Sequence, residues 1–342
     1  MSDRPAQLAH FLAAVLQRLG RTASSDWQAI TGDASFRRFH RVHTNDGPLI
    51  LVDAPPATEN NGQYLRIANR WGAAGLAVPR VYAADLARGF FVVEDFGDLL
   101  FSRALEDAAG TSTDAVTPQA DALYRRAIAL LWRIQALPAD GTCPPYEMAR
   151  FEMELGIFRE WFLGAALARD PSAGESALLA HAEHTLLSCI AQQPHACVHR
   201  DWHSRNLLVL PSGELGIIDF QDALIGPYVY DLVSLLRDCY QRWPEDQVAT
   251  WQAHYLEGAD SRFRDRASFQ TDFDLTGMQR HLKAVGIFAR LWKRDGRTGY
   301  LGDIPRVLGY LRDVGARHPE LADFAGWIDG TIAPAWAARA PS

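Results

Sequence analysis

The apolar positions Leu8, Phe11, Leu12, Val15, Leu16 and Leu19 recur at the spacing of one helix face. His10 and Gln17 interrupt them, so the stretch reads as an amphipathic helix rather than a secretory signal. Residues 24–51 turn strand-like, with turn signals at Gly32-Asp33 and Asn45-Asp46-Gly47. Residues 39–43 and 48–52 are then expected as the two strands of a hairpin, stopped by Pro55-Pro56. Tyr64, Ile67, Ala68 and Trp71 stand one face apart on a further helix, which Gly75 can end. Phe90-Phe91-Val92-Val93 predicts a buried strand leading into Glu94-Asp95-Phe96-Gly97.

Beyond Gly97 the pattern becomes helical. Helices are expected over 120–137, 151–167, 178–190 and 278–292, and Val229, Leu232, Val233, Leu236 and Tyr240 form another helical stripe. A hairpin over 206–219 interrupts them. There is no internal repeat. The expected fold is therefore α+β and two-lobed, with a small β-rich lobe over 1–97 and a large helical lobe over 98–342.

Composition narrows the function classes. With 48% hydrophobic and 22% charged residues in a chain of 342, a largely disordered protein is excluded. The net charge of −7, with no basic tail, argues against a nucleic-acid partner. No apolar run approaches the length of a membrane span, and the four cysteines show no C-x-x-C spacing, so a soluble, cytoplasmic protein with reduced thiols is expected. Lysine is nearly absent: Lys283 and Lys293 are the only two among 34 basic residues.

The segment His199-Arg200-Asp201-Trp202-His203-Ser204-Arg205-Asn206, with Asp219 thirteen residues further on, carries the densest chemistry. It fits H-R-D-x-x-x-x-N followed by a metal-binding Asp, the arrangement of a phosphoryl-transfer catalytic loop. If Leu210 faces Leu215 across the turn 211–214, the hairpin register sets Asn206 opposite Asp219, with Cβ atoms about 5 Å apart. An amide oxygen and a carboxylate so placed can share a Mg²⁺ ion. Asp201 then stands in a loop able to reach an acceptor hydroxyl. His195, Cys197, His199 and His203 also cluster, but no second Cys/His pair at ligand spacing supports a zinc site.

On these residues the chain resembles the aminoglycoside phosphotransferase and choline kinase branch of the protein-kinase-like fold over nearly its whole length. More narrowly, it is similar to the bacterial anomeric kinases of N-acetylmuramate and N-acetylglucosamine that serve cell-wall recycling. The phrases that carry this are Gly-Asp-Ala-Ser-Phe-Arg-Arg from Gly32, Asp53-Ala54-Pro55-Pro56, Glu94-Asp95-Phe96-Gly97-Asp98, Asp219-Phe220-Gln221-Asp222-Ala223, Gly226-Pro227 with Tyr230-Asp231-Leu232, and the run from Lys283 to Arg290. The resemblance implies ATP and Mg²⁺ as cofactors and an amino sugar as substrate, phosphorylated at C1 to the α-1-phosphate. It implies that Asp201 orients the sugar hydroxyl and that Asn206 and Asp219 hold Mg²⁺. Gly32, Asp33, Ala34, Ser35, Phe36 and Arg37 would cover the ATP phosphates, and the backbone at Glu94 and Asp95 would read adenine. His203, Arg205, Asp222 and Tyr228 are the expected sugar contacts.

Two departures from kinase habit stand out. The strand that usually carries a phosphate-binding lysine reads Leu49-Ile50-Leu51-Val52-Asp53, so Mg²⁺ alone or an arginine such as Arg37 or Arg38 must neutralise the phosphates. Glu59, the candidate for the usual helix glutamate, is left without a lysine to pair with and suits either that role or a surface charge. The turn at Gly32 also has a single glycine where protein kinases commonly have three. The basic run from Lys283 to Arg297 suits either a solvated helix face or a carboxylate-binding surface. Competing readings are a phosphotransferase acting on an aminoglycoside, choline or homoserine, and a nucleotide-binding pseudokinase, for which the missing lysine is the best argument.

Overall fold

Leu49-Ile50-Leu51-Val52-Asp53 is buried at every position, as a strand with neighbours on both edges and a helix over each face must be. In the computed structural model, which describes residues 4–30, 36–109 and 116–339, this strand is the centre of a five-stranded antiparallel sheet. The strands are β1 (Gln28–Ile30), β2 (Arg38–Val42), β3 (Leu49–Asp53), β4 (Val81–Asp85) and β5 (Phe90–Glu94), in the order β1-β2-β3-β5-β4. Strand alternation sends Leu49, Leu51, Phe90 and Val92 to one face, against Leu8, Leu12, Val15 and Leu16 of α1 (Arg4–Leu19). Ile50, Val52, Phe91 and Val93 face the other way and meet Tyr64 and Leu65 of α2 (Asn61–Ala73). Asn60 caps α2 by accepting the Gln63 N–H. The apolar pattern thus locates β2, β3, β5, α1 and α2 to within a few residues; β4 carries no comparable signal.

The chain divides into two compact units. One comprises Met1–Gly110, Ala139–Cys143 and Arg205–Ala223, the other Thr111–Pro138, Pro144–Ser204 and Leu224–Ser342. The units are therefore not the contiguous stretches 1–97 and 98–342: the sheet unit runs past Gly97 and takes in the hairpin that begins just after the catalytic loop.

The second unit is built around the helix Phe269–Asp295, which is ended by Gly296 in a left-handed cap. Leu282, Val285 and Phe288 of this helix share one core with Phe158, Phe162 and Leu311. Contact is closest at Gly286, where a Cβ would lie 2.7 Å from the backbone of Ile157 and Phe158. At that point the helix Met148–Ile157 changes into the π-helical turn Phe158–Ala166, so the helix expected over 151–167 is continuous but re-wound. The helix Tyr230–Leu236 is buried at all seven positions, including Asp231. Among the described residues no helix is long and apolar enough to cross a membrane.

Candidate active site

The hairpin after the catalytic loop pairs Leu207–Val209 with Leu215–Ile217, and its register corrects the expectation by one residue. Leu207 faces Ile217 and Val209 faces Leu215. The Leu210 N–H donates to the Glu214 carbonyl (2.9 Å) and the Gly213 N–H to the Leu210 carbonyl (2.8 Å), closing a three-residue loop. Gly213 makes this possible by taking φ +82°, the left-handed residue that such a loop needs. Asn206 therefore faces Ile218, whose N–H donates to the Asn206 carbonyl (3.2 Å), and Asp219 comes one position later.

Asp219 has itself a left-handed backbone, φ +61°, which ends the strand and starts the turn Phe220–Asp222. Phe220 is the anchor: it is buried, stacks on Tyr64 of α2 at 5.2 Å and lies 5.9 Å from Trp71. Gln63 donates to the Ala223 carbonyl at 3.4 Å. Asp219 and Asp222, on either side of the anchor, are exposed. Gln221 donates to the Asp219 carboxylate at 2.6 Å.

Glu59 is not a surface charge. It is half-buried and pairs with Arg37 at 3.0 Å, both side chains being largely enclosed (14% and 6% exposed). The Arg37 guanidinium also stands 5.3 Å over the Tyr64 ring, which stacks on Phe220 and meets Phe91 edge-on. Burial raises the Glu59 carboxyl above its ordinary range; Arg37 opposes this, and the charges of Asp222 and Asp219 add to it. Arg37, Glu59, Asp219 and Asp222 thus act on one another within the sheet unit. The lysine-less β3 ends instead in Asp53, whose carboxylate accepts from Arg4 Nε of α1 at 2.9 Å.

Of the expected phosphate-covering turn, Gly32, Asp33, Ala34 and Ser35 lie outside the described residues, while Phe36 is exposed and Arg37 buried. The side chains at the end of β5 are committed to structure. Glu94 accepts the Arg80 N–H (3.2 Å), and Asp95 holds Arg41 at 2.5 and 3.1 Å while accepting the Gly97 N–H. The Glu94 N–H donates to the Arg80 carbonyl at 2.9 Å.

In the second unit the catalytic loop is clamped by two buried carboxylates seven residues apart. Asp231 accepts the N–H groups of His199 (2.6 Å) and Arg200 (2.9 Å). Asp238 accepts those of Ser204 (2.9 Å) and Tyr240 (2.9 Å). Asp231 lies on the helix Tyr230–Leu236 and Asp238 two residues past its end, and neither acid carries a signal of this role in the sequence. Between the clamps Arg200 has φ +79°, a conformation that costs an L-residue about 1–2 kcal/mol. Its side chain is tied down as well, donating to Glu154 at 2.7 Å. The strain therefore falls on the residue immediately before Asp201.

Glu154 is 2% exposed and is the hub of a charged cluster. Besides Arg200 it takes Lys283 at 3.2 Å, the Tyr146 hydroxyl at 2.5 Å and the Gln279 amide at 3.2 Å. Burial would raise the half-buried Asp201 carboxyl, yet Lys283 first, then Arg200, His203 and Arg280, hold it well below the usual carboxylate range. Asp201 is thus ionised at any physiological pH, suited to accepting a hydrogen bond from an acceptor hydroxyl and orienting it. Burial lowers the His203 imidazole pKa, favouring the neutral ring, which stands edge-on to Tyr240 at 5.3 Å.

The structure divides the expected sugar contacts. His203 and Arg205 are half-buried and Asp222 is exposed. Tyr228 has to be withdrawn: it is fully enclosed, donates to Asp272 at 3.0 Å and stacks on Phe263 at 5.0 Å, so no face of the ring is left for a sugar. Trp202 and Tyr230 are equally buried.

Comparison with known proteins agrees with these features. A model described as "Phosphotransferase enzyme family" matches residues 26–269. Curated N-acetylmuramate/N-acetylglucosamine kinases are similar along the chain. The one from Pseudomonas putida is 34% identical, covering 90% of this chain and 89% of its own. That from Pseudomonas aeruginosa is 36% identical with the same coverage, and that from Neisseria meningitidis 38% identical, covering 85% and 86%. Among solved structures, a choline/ethanolamine kinase family protein from Mesorhizobium loti superposes with a TM-score of 0.64 at 15% identity, covering 95% of this chain and 99% of that one. An ADP-bound aminoglycoside phosphotransferase gives a TM-score of 0.58 at 11% identity, covering 88% and 97%. These two share the two-lobed, protein-kinase-like α+β fold. The family match over most of the chain and identities above 30% along nearly all of it lead to one conclusion: this chain belongs to the phosphotransferase enzyme family.

Proposed function

We propose that this chain transfers the γ-phosphoryl group of ATP to the anomeric hydroxyl of N-acetylmuramate and of N-acetylglucosamine, giving the α-1-phosphates. The observation that carries the chemistry is Asp201, an acid kept anionic by Lys283 and Arg200 at the end of a loop clamped at both ends. Phosphoryl transfer passes through a loose transition state and needs positioning and charge neutralisation more than a strong base. An aspartate held at low pKa fits that demand, and it would accept the C1 hydroxyl hydrogen bond. The acceptor is taken from the kinases that share more than a third of their residues with this chain and are named for those two sugars.

Asn206 and Asp219 supply an amide oxygen and a carboxylate, hard donors of the kind Mg²⁺ takes, and the further carboxylates of Asp222 and Glu59 bear on the same region. These residues fit the ion. Asn206 and Asp219 would hold it, and its charge would offset that of the phosphates. Arg37, kept in place by Glu59, would contact the phosphates where other kinases use a lysine, and the backbone at Glu94 and Asp95 would read adenine. His203, Arg205 and Asp222 remain the proposed sugar contacts.

ADP release with Mg²⁺ and ATP, measured against N-acetylmuramate, N-acetylglucosamine, glucose, kanamycin, choline and homoserine, tests the reading. Turnover is expected with the two N-acetyl sugars. Turnover confined to an amine or an antibiotic would overturn it.

A further inference from the structure

Arg280 is nine-tenths buried, yet among the described residues it forms no ion pair. Its Nη2 makes a long hydrogen bond, 3.5 Å, to the Arg200 carbonyl, and among the described residues its Nε has no partner. The carboxylates of Asp201 and Asp231 act on it only from beyond ion-pair distance, and a buried guanidinium without a carboxylate in direct contact is uncommon, because its desolvation is costly. One helical turn further along the same face stands Lys283. Both cations flank the ring of Tyr230, with the Arg280 guanidinium carbon 4.9 Å and Lys283 Nζ 5.9 Å from its centre. Lys283 spends two of its three donors on Glu154 and the Tyr230 hydroxyl. The third has no partner among the described residues. Glu154 is already shared between Arg200 and Lys283, so it leaves nothing for Arg280.

We propose that Arg280 and Lys283 form a subsite for the substrate's carboxylate, which receives the lactyl group of N-acetylmuramate while Asp201 holds the C1 hydroxyl. This deepens the sugar-kinase reading and rests on it. Both cations belong to the same compact unit as Asp201 and bear on its charge, so they attend the acceptor that Asp201 orients. The lactyl ether sits on C3, separated from the anomeric carbon by a single ring atom, and its carboxylate stays within one sugar width of the C1 hydroxyl. A planar guanidinium edge is matched to a carboxylate, and a neighbouring ammonium strengthens the pair. N-acetylglucosamine has a plain hydroxyl at C3 and leaves the subsite unused. The only two lysines of the chain both lie on this helix, and Lys283 is the one turned inward.

The test compares the two sugars in Arg280→Met and, separately, in Lys283→Met. For Arg280→Met, kcat/KM for N-acetylmuramate is expected to fall at least about tenfold further than for N-acetylglucosamine, the loss typical of a charge-assisted hydrogen bond. Lys283→Met should shift the ratio in the same direction. Because the ratio is taken within one preparation, partial misfolding cancels. The lactyl amide of N-acetylmuramate supplies a second measurement: the unmodified protein should prefer the acid to the amide, and Arg280→Met should lose that preference. Equal losses for both sugars would overturn the subsite and assign the cations to the transferred phosphoryl group or to the fold. An unchanged ratio would overturn it too. If the unmodified protein phosphorylates neither sugar, the proposed function itself fails and takes the subsite with it, a result distinct from both.

Discussion

Arg37 and Glu59 form a 3.0 Å ion pair beside Asp219 and Asp222, in a sheet whose β3 strand carries no lysine. The pair places a fixed cation near the proposed metal ligands from the residue just before β2 rather than from β3. This weakens the pseudokinase reading, whose main support is the missing lysine. Arg37→Met should raise the KM for ATP and lower kcat, together by about a hundredfold in kcat/KM, the scale seen when a preorganised charge is taken from a transition state. Arg37→Lys should recover part of it. Steady-state kinetics over a range of ATP concentrations at saturating sugar checks this, and unchanged kinetics in Arg37→Met would remove the residue from the phosphate site.

Asp201→Asn keeps the size of the side chain and removes the charge that Lys283, Arg200 and Arg280 surround. Turnover should fall by about a thousandfold, within the range for loss of a positioned acid–base group. ATP affinity, measured by calorimetry, should change little, because the nucleotide contacts proposed here belong to other residues. Near-normal turnover would displace Asp201 from its role.

Glu154 neutralises the enclosed Arg200 and Lys283 in a setting where water cannot, with the more exposed Arg150 further off at 3.8 Å. In Glu154→Gln, Arg200 and Lys283 face each other without a carboxylate, and the native state should lose about 3 kcal/mol, as when one partner of a buried ion pair is deleted. Denaturant unfolding measures the loss. Activity should fall along with stability, because the left-handed Arg200 loses the contact that holds its side chain.

His281 gives the second unit a defined acid response. It is fully buried, its Nε2 lies 3.0 Å from the Arg237 carbonyl, and burial pushes its pKa down to about 3. A base whose folded-state pKa is depressed binds its proton more readily when unfolded, so its contribution is fully present above the unfolded value of about 6.5 and is lost as pH falls from there towards 3. Stability should therefore decline with falling pH across this window. In His281→Gln the slope should be shallower by about one proton, as followed by unfolding at a series of pH values. An unaltered slope would contradict the assignment.

Periodicity was sufficient for the elements whose burial is one-sided and regular. α1 buries Leu8, Leu12, Val15 and Leu16 as its spacing requires, and β3 and β5 are found where apolar runs stand between turn residues. The family is equally legible, because Asp201, Asn206 and Asp219 occupy a fixed linear spacing within the matched stretch. Details set by backbone handedness are not. A four-residue turn and a three-residue turn with a left-handed Gly213 differ by one register step, and hydrophobicity does not distinguish Leu210 from Val209 as the last paired residue. Tyr228 illustrates another limit: an aromatic ring near a catalytic loop looks the same in sequence whether it faces substrate or packs on Phe263. The role of Glu59 is not legible because its partner is Arg37, an arginine that no linear spacing ties to it. Arg280 is silent in the sequence, because one arginine within an amphipathic helix has no signature until its burial is known.

Product identity bears most directly on the central claim. The full-length protein, incubated with ATP, Mg²⁺ and either N-acetylmuramate or N-acetylglucosamine, should yield a sugar phosphate whose phosphorus resonance is coupled to the anomeric proton of the α configuration. Phosphate on any other hydroxyl, or ADP formed without a phosphorylated sugar, would contradict the account.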